Sequence, residues 1–478
     1  MAESSAKPAT QAAGAPRPRR LWEIAQLPVL AFLTAFVVGG VIIILADLDV
    51  LTQFQATLSS LGLLGVVLLA LAVAVVAISI VVNRNTSRIL SRVVRAPTPL
   101  QDRLAGIASI VVGVVVAIAL LRAAGFAQAL DAAWAAVRTA YGSLLEGALG
   151  NPADIVAALQ SGDGQQLNRA LYPVFDSLVT STPYIFAGLA VALGFRCGLF
   201  NIGAEGQLFV GAITAAYVGY SLQGVPAIIH IPLALGAGAL GGALWGFLPG
   251  ILKAKVGAHE VINTIMMNYI AFRLSEWLLN GPMKRPGSVP VSPTIEPSAE
   301  LPRFFADPNR FHLGFFVALG VAALVYWFLF RSTWGFEIRT VGANPGAAKY
   351  AGMSITRNFV LAMCISGALA GLAGANEVLG VNHNLALAFS SGYGFDSIAL
   401  ALLGKSHPLG VVLSALLFGT LRSGGARMQN VARIPVDIIS VVQALVIAFI
   451  AAPAIIRAIY RIREARGAEV VFTRGWGR

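Results

Sequence analysis

Ile229-His-Ile-Pro-Leu-Ala-Leu-Gly-Ala-Gly-Ala-Leu-Gly-Gly-Ala-Leu-Trp-Gly-Phe-Leu-Pro-Gly-Ile-Leu252 is a run of 24 residues without one Asp, Glu, Lys or Arg. As a helix it is roughly 36 Å long at 1.5 Å per residue. That is enough to cross the hydrocarbon layer of a bilayer, about 30 Å thick. Its glycines carry a second message. Gly238, Gly242, Gly246 and Gly250 recur every fourth residue, which lays a stripe without side chains along one helix face and lets a neighbouring backbone approach closely. Gly367 and Gly371 repeat the spacing. The run predicts a membrane helix packed in a bundle.

The rest of the chain agrees. Of 478 residues, 57% are hydrophobic and 12% are charged, and the mean hydropathy is +0.76. A soluble domain carries about 25% charged residues, so this surface must face lipid. Apolar runs of spanning length predict an all-α, polytopic bundle of about twelve transmembrane helices, near 28–46, 61–82, 106–122, 174–195, 203–220, 229–252, 259–280, 312–330, 358–380, 393–404, 408–421 and 436–456. The tenth and eleventh are short and read as a broken pair or a re-entrant element.

The net charge of +12 would suggest nucleic acid in a soluble protein. Here the basic residues fall in short loops between apolar runs, the pattern of cytoplasmic anchoring, so no nucleic-acid partner is expected. The loop Asn83–Arg103 holds Arg84, Arg88, Arg92, Arg95 and Arg103, whereas Asp47–Ser60 has neither Lys nor Arg. This bias puts both termini in the cytoplasm. It places Arg422–Pro435 outside, although that segment holds Arg422, Arg427 and Arg433.

Five regions follow: a disordered basic N-terminus (1–27), additional N-terminal membrane helices (28–122), an external segment (123–173), a transport core (174–456) and a basic cytoplasmic tail (457–478). The segment Gly281–Phe311 holds seven prolines, each fixing φ and removing a donor, so it reads as an extended lid or loop. Cys197 and Cys364 are too few and too far apart for a disulfide framework or metal cluster. The five histidines are scattered, and neither an HExxH nor a GxSxG pattern occurs, so an enzyme is not expected and no cofactor is called for. Gly404-Lys405-Ser406 ends like a phosphate-binding loop, but Ala399 stands where its first glycine is required.

The segment Arg339-Thr-Val-Gly-Ala-Asn-Pro-Gly-Ala-Ala-Lys-Tyr-Ala-Gly-Met353 predicts a short capped helix. Asn344 is a good N-cap, Pro345 suits the first helical position, and Gly352 suits a left-handed C-terminal cap. Such an element, projecting into the cytoplasm, can receive a mechanical push from a soluble partner. Its residues Arg339, Gly342, Asn344, Pro345, Ala347, Ala348, Tyr350 and Gly352 are the candidates for coupling.

Polar groups at membrane depth are costly and mark either a pathway or one another's partners. The candidates for a solute pathway are Asn201, Glu205, Gln207, Asn263, Thr264, Asn268 and Asp396. Thr264 and Asn268 share a helix face at i,i+4, and Asn263 points elsewhere. Asn and Gln both donate and accept, which suits a sugar hydroxyl or a base edge. Phe200, Phe209, Tyr269 and Phe395 stand near them in sequence and offer aromatic faces to a nucleobase. Glu205 reads more readily as a tie between a helix start and a neighbouring loop than as a solute contact.

The capped segment resembles the cytoplasmic coupling element of permeases in the ribose, branched-chain amino acid and nucleoside ABC importers. Gly198-Leu-Phe-Asn-Ile-Gly-Ala-Glu-Gly-Gln207, His259-Glu-Val-Ile-Asn-Thr-Ile-Met-Met-Asn-Tyr269 and Gly392-Tyr-Gly-Phe-Asp-Ser-Ile-Ala-Leu-Ala-Leu-Leu-Gly404 are similar to motifs of its nucleoside and simple-sugar branch. The resemblance covers roughly Phe175 to Ile455. It implies a plasma-membrane, multi-pass permease subunit for nucleosides or, alternatively, a simple sugar such as ribose or galactose. It further implies a second permease subunit, often a different chain, a cytoplasmic ATPase subunit and an extracytoplasmic solute-binding lipoprotein. Residues 28–122 depart from the branch, which usually has about ten helices. On physics alone, the carboxylates Glu205, Glu377 and Asp396 also allow an ion-coupled secondary transporter.

Overall fold

The computed structural model describes residues 18–90, 99–435 and 437–460. The N-terminal residues 1–17, the tail residues 461–478 and Arg92 and Arg95 of the basic loop lie outside the described residues.

The N-terminal third comprises α1 (Pro18–Ala46), α2 (Leu48–Ser59), α3 (Leu63–Leu90), α4 (Pro99–Leu121), α5 (Ala127–Leu149) and α6 (Pro152–Ser161). The remainder comprises α7 (Gly164–Arg196), α8 (Ala204–Ser221), α9 (Ala227–Ile251), α10 (Glu260–Asn280), α11 (Gly314–Arg331), α12 (Thr333–Ala343), α13 (Pro345–Tyr350), α14 (Ile355–Asn376), α15 (Tyr393–Leu403), α16 (Pro408–Ala432), α17 (Asp437–Ala451) and α18 (Pro453–Tyr460). Among the described residues, 8 helical stretches are long and apolar enough to cross a membrane. They begin with α1, α3, α4, α7, α9, α11, α14 and α16, the third running on through α5 and α6. The chain is an all-α, multi-pass membrane protein.

Two helices carry more structure than their sequence suggests. The segment 123–173 is α5, α6 and the first turns of α7, and α5 packs closely along α16. Gly147 is the point of contact: a Cβ there would lie 3.0 Å from the Gly424 carbonyl oxygen. The eleventh apolar run does not stop at 421. α16 continues to Ala432, so Arg422 and Arg427 belong to that helix. Residues 18–27, expected with the disordered N-terminus, are the first turns of α1.

The glycine stripe explains the centre of the bundle. Among the described residues, α9 and α14 form the most extensive helix contact. A Cβ at Gly242 would lie 2.2 Å from the Gly367 carbonyl oxygen, and one at Gly371 would lie 2.2 Å from that of Gly238. Only backbone against backbone fits there. α7 runs through the same core, with Tyr184 to Leu193 all buried. By contrast, α3 and α4 pack mainly on each other and turn Val66, Leu71, Val111 and Val115 outward. An apolar face of that kind is solvated by lipid.

The Pro-rich segment after α10 holds one short turn, Pro297–Ala299, and otherwise lies extended over the ends of α8 and α14. It is fastened by backbone bonds from Glu296 N–H to Gly219 (2.9 Å), Leu301 N–H to Leu379 (2.9 Å) and Ser292 N–H to Leu385 (2.9 Å). His230, buried on α9, bonds Ser298 Oγ at 2.8 Å. His312, at the foot of this cap, is buried beside Arg303 and Arg310, and burial pushes its pKa down to about 4.

Candidate functional site

Two helices start inside the bundle instead of at its surface. α8 begins at Ala204, after a loop that turns back from the end of α7, and α15 begins at Tyr393. Ser366, which meets the first of these loops, is 11 residues along α14. That places the meeting point roughly 16 Å deep, near the middle of a ~30 Å layer.

The loop before α8 is held by its own amides. Asn201 Nδ2 donates to Gln207 Oε1 and to Ser366 Oγ, both at 2.8 Å. Gly203 N–H donates to Asn201 Oδ1 at 3.0 Å. On α10, Asn268 Oδ1 accepts from Gly206 N–H (2.8 Å) and Asn268 Nδ2 donates to the Ile202 carbonyl (3.0 Å). Gly206 must be glycine for this contact, because a Cβ would stand 2.9 Å from Asn268 Cα. Thr264, one turn earlier, abuts Gly203 and donates to its own helix at Glu260 (2.8 Å). Asn201 and Asn268 each replace water for a backbone group that would otherwise be unsatisfied in the membrane.

Glu205 joins the two inner helix starts. Its carboxylate accepts from Ser390 Oγ at 2.5 Å and from Gly394 N–H at 2.6 Å. Gly394 is the second residue of α15, so the negative charge sits on the unsatisfied N–H groups and positive dipole end of that helix. A Cβ at Gly394 would lie 2.3 Å from the Glu205 backbone nitrogen.

The far side of α15 is open. Asp396 Oδ2 accepts from Tyr184 Oη at 2.8 Å and faces Arg422 Nη1 at 3.5 Å. The side chains of Asp396 and Arg422 are 34% and 30% exposed. Arg422 Nη1 also donates to Tyr184 Oη at 2.7 Å, and Nη2 donates to the Ser391 carbonyl at 3.1 Å. Its guanidinium lies 5.3 Å from the centre of the Tyr393 ring, and Phe395, next to Asp396 in the chain, is 45% exposed. One residue along α16, Ser423 donates to Asp176 (3.0 Å), which is paired with Arg310 at 2.6 Å. A polar, aromatic lip therefore runs from mid-depth toward the Pro-rich cap.

The other working element is at the opposite end of the core. α13 is capped as its sequence demands. Ala347 N–H donates to Asn344 Oδ1 (3.1 Å), Gly352 takes φ +82°, and Met353 and Gly352 N–H return to the Ala348 and Lys349 carbonyls, a Schellman closure. Ala348 alone is buried, and Tyr350 is 96% exposed. α12 anchors this tip: Gly342 rests on the Arg196 carbonyl at the end of α7, and Arg339 Nε donates to the Leu329 carbonyl at 2.8 Å. Glu337 on α12 accepts from Asn358 (2.9 Å) and Arg357 (2.5 Å) on α14. These bonds, Asn358 first, hold its carboxyl below the usual carboxylate range.

The residues singled out from sequence thus separate into kinds. Asn201, Glu205, Gln207, Thr264 and Asn268 are buried and engaged with the chain itself. Asn263 turns from them, half-buried, with its Nδ2 unpartnered among the described residues. Asp396 opens to the lip. Arg422, Tyr184 and Tyr393 were not singled out for the pathway. Their signal was an Arg in the fourth turn of an otherwise apolar run, opposite an aspartate in a neighbouring one.

Comparison with known proteins places this architecture. The family described as branched-chain amino acid transport system / permease component matches residues 174–451. The guanosine ABC transporter permease protein NupP of Bacillus subtilis is 46% identical over 306 residues, covering 62% of this chain and 86% of that protein. The nucleoside ABC transporter permease protein NupB of Lactococcus lactis is 36% identical, with 59% and 79% covered. The glucose ABC transporter permease protein TsgB13 of Haloferax volcanii is 36% identical, with 57% and 74% covered. No solved structure matches. These three relatives are named as permease proteins of ABC transporters and not as enzymes, and with the family match spanning more than half its length, the chain belongs to the branched-chain amino acid transport system permease family of ABC transporters.

Proposed function

We propose that this chain forms one side of the solute pathway of an ATP-driven importer for nucleosides in the plasma membrane. It works with a second, different permease chain, a cytoplasmic ATPase subunit and an extracytoplasmic binding lipoprotein. Similarity to the guanosine and nucleoside permeases supports the solute class. Simple sugars are the second reading, favoured by the glucose permease relative, 36% identical against 46% for the guanosine permease.

The observation that carries the transport mechanism is one continuous line of contacts. α13 offers an exposed, doubly capped tip to the ATPase through Asn344, Pro345, Ala347 and Tyr350, with Gly352 closing it. Ala348 seats the tip, and Gly342 and Arg339 tie α12 to α7 and α11. Glu337 passes displacement to α14, and Ser366 on α14 is bonded to Asn201 at mid-depth. A push on α13 therefore reaches the two inner helix starts without crossing a flexible link. In this reading Asp396 meets the solute, while Asn201, Glu205, Gln207, Thr264 and Asn268 hold the helix starts in place and Asn263 flanks them. Residues 174–456 form the transport core, with 28–122 and 123–173 added to it and both basic termini cytoplasmic. α8, α10, α15 and α17 complete the 8 long stretches to twelve membrane elements.

Reconstitution of the full complex in proteoliposomes tests this. ATP-dependent accumulation of labelled nucleoside is expected, lost when Tyr350→Ala or Asn344→Ala uncouples the tip. Accumulation without ATP, driven by an ion gradient, would overturn the reading in favour of a secondary transporter.

A further inference from the structure

Arg422 has more donors than the protein uses. Nη1 serves Tyr184 and Asp396, and one Nη2 N–H serves the Ser391 carbonyl. A guanidinium has five N–H groups in a planar fork. Among the described residues nothing takes Nε–H or the second Nη2 N–H, and these two nitrogens are neighbours on the guanidinium. The group is held rigidly by three partners and by the Tyr393 ring below it, yet its side chain is partly exposed on the lip. A fixed fork at the surface of a solute pathway needs two acceptors side by side. Among nucleosides, the 6-oxopurines present this pattern at O6 and N7, whereas adenosine places an N6 amino donor beside N7.

We propose that Arg422 is the specificity-determining residue of the pathway, donating its free edge to O6 and N7 of 6-oxopurine nucleosides and so favouring guanosine and inosine over adenosine. The proposal rests on the nucleoside reading above. Asp396 and Tyr184 orient the guanidinium and keep its charge compensated. Lysine in its place retains the charge opposite Asp396 but presents no planar fork.

The test is uptake of labelled guanosine, inosine and adenosine by cells carrying the complete importer, with wild-type chain, Arg422→Lys or Arg422→Gln. The wild type is expected to prefer the oxopurines. In Arg422→Lys the guanosine-to-adenosine ratio is expected to fall roughly tenfold, within the range of one bidentate base contact, with adenosine uptake retained. A ratio unchanged in Arg422→Lys, with all nucleosides falling together or none falling, overturns the assignment and leaves Arg422 a structural tie. Should Arg422→Gln fail to reach the membrane, Arg422→Lys and the wild-type preference still decide. A wild type that takes up nucleosides without oxopurine preference overturns the inference alone. One that takes up no nucleoside overturns the nucleoside reading beneath it.

Discussion

Gly242→Ala asks whether the α9–α14 contact holds the bundle together. The added methyl would lie 2.2 Å from the Gly367 carbonyl oxygen and 2.8 Å from Gly371 Cα. Both obstacles are backbone, so no rotamer change relieves them, and the two helices must separate by about 1 Å to restore van der Waals distance. Overpacking of this kind costs about 1–3 kcal/mol. The cost falls at the upper end here, because Gly238, Gly246 and Gly250 share the interface and lose contact with it. Gly236→Ala on the same helix is the control: nothing lies within 4 Å of its Cβ, and replacing glycine in a helix is worth about 0.5–1 kcal/mol in favour of the variant. Thermal melting of the detergent-solubilised chain, followed by size-exclusion chromatography, reads the difference. Gly242→Ala should melt several degrees below wild type and Gly236→Ala at or above it. Equal melting of the two variants refutes close backbone packing as the organising contact of the core.

Removing the α13 cap with Asn344→Ala should cost that short helix about 1 kcal/mol; ATPase stimulation by the complex should fall while the melting of the membrane core does not, and a shifted core transition would contradict a local role. Glu205→Gln keeps the shape but removes the charge on the start of α15, a charge-assisted bond worth about 1.5–3 kcal/mol; lower yield of folded chain and slower transport are expected, and wild-type behaviour in both would show that the carboxylate does not hold the inner helix starts. His312 has its folded pKa lowered to about 4 from 6.5, so the unfolded cap takes up the proton first. Its contribution, about 3 kcal/mol at roughly 1.4 kcal/mol per pH unit, is complete above pH 6.5 and is lost as pH falls toward 4. Hydrogen-exchange protection factors over residues 285–312 should therefore fall from pH 7 to pH 5, and His312→Gln should abolish that fall.

The parts of this structure that were legible in sequence are those written in local pattern. The four-residue glycine repeat marks a helix face, and the Asn344–Pro345 start with Gly352 beyond the end marks a capped helix, because each needs only neighbours along the chain. The polar residues at mid-depth were visible as anomalies, but whether they meet solute or chain depends on partners far away: Asn201 on Ser366, Glu205 on Gly394, Asn268 on Gly206. Arg422 was read as lying beyond its span for the same reason. A charge in an apolar run reads as the end of a span unless its counter-ion is known, and Asp396 lies 26 residues away on another helix. The length of α16 and the helical nature of 123–173 follow from packing between α5 and α16 through Gly147 and Gly424, a match that neither segment announces alone.

The most direct test of the account is uptake of labelled guanosine, adenosine and uridine by cells with and without this chain, with unlabelled ribose as competitor. The account predicts that deletion abolishes nucleoside uptake, that the chain restores it, and that ribose does not compete. Unchanged nucleoside uptake with a fall in ribose uptake would contradict it, assigning the same fold and the same coupling helix to a sugar.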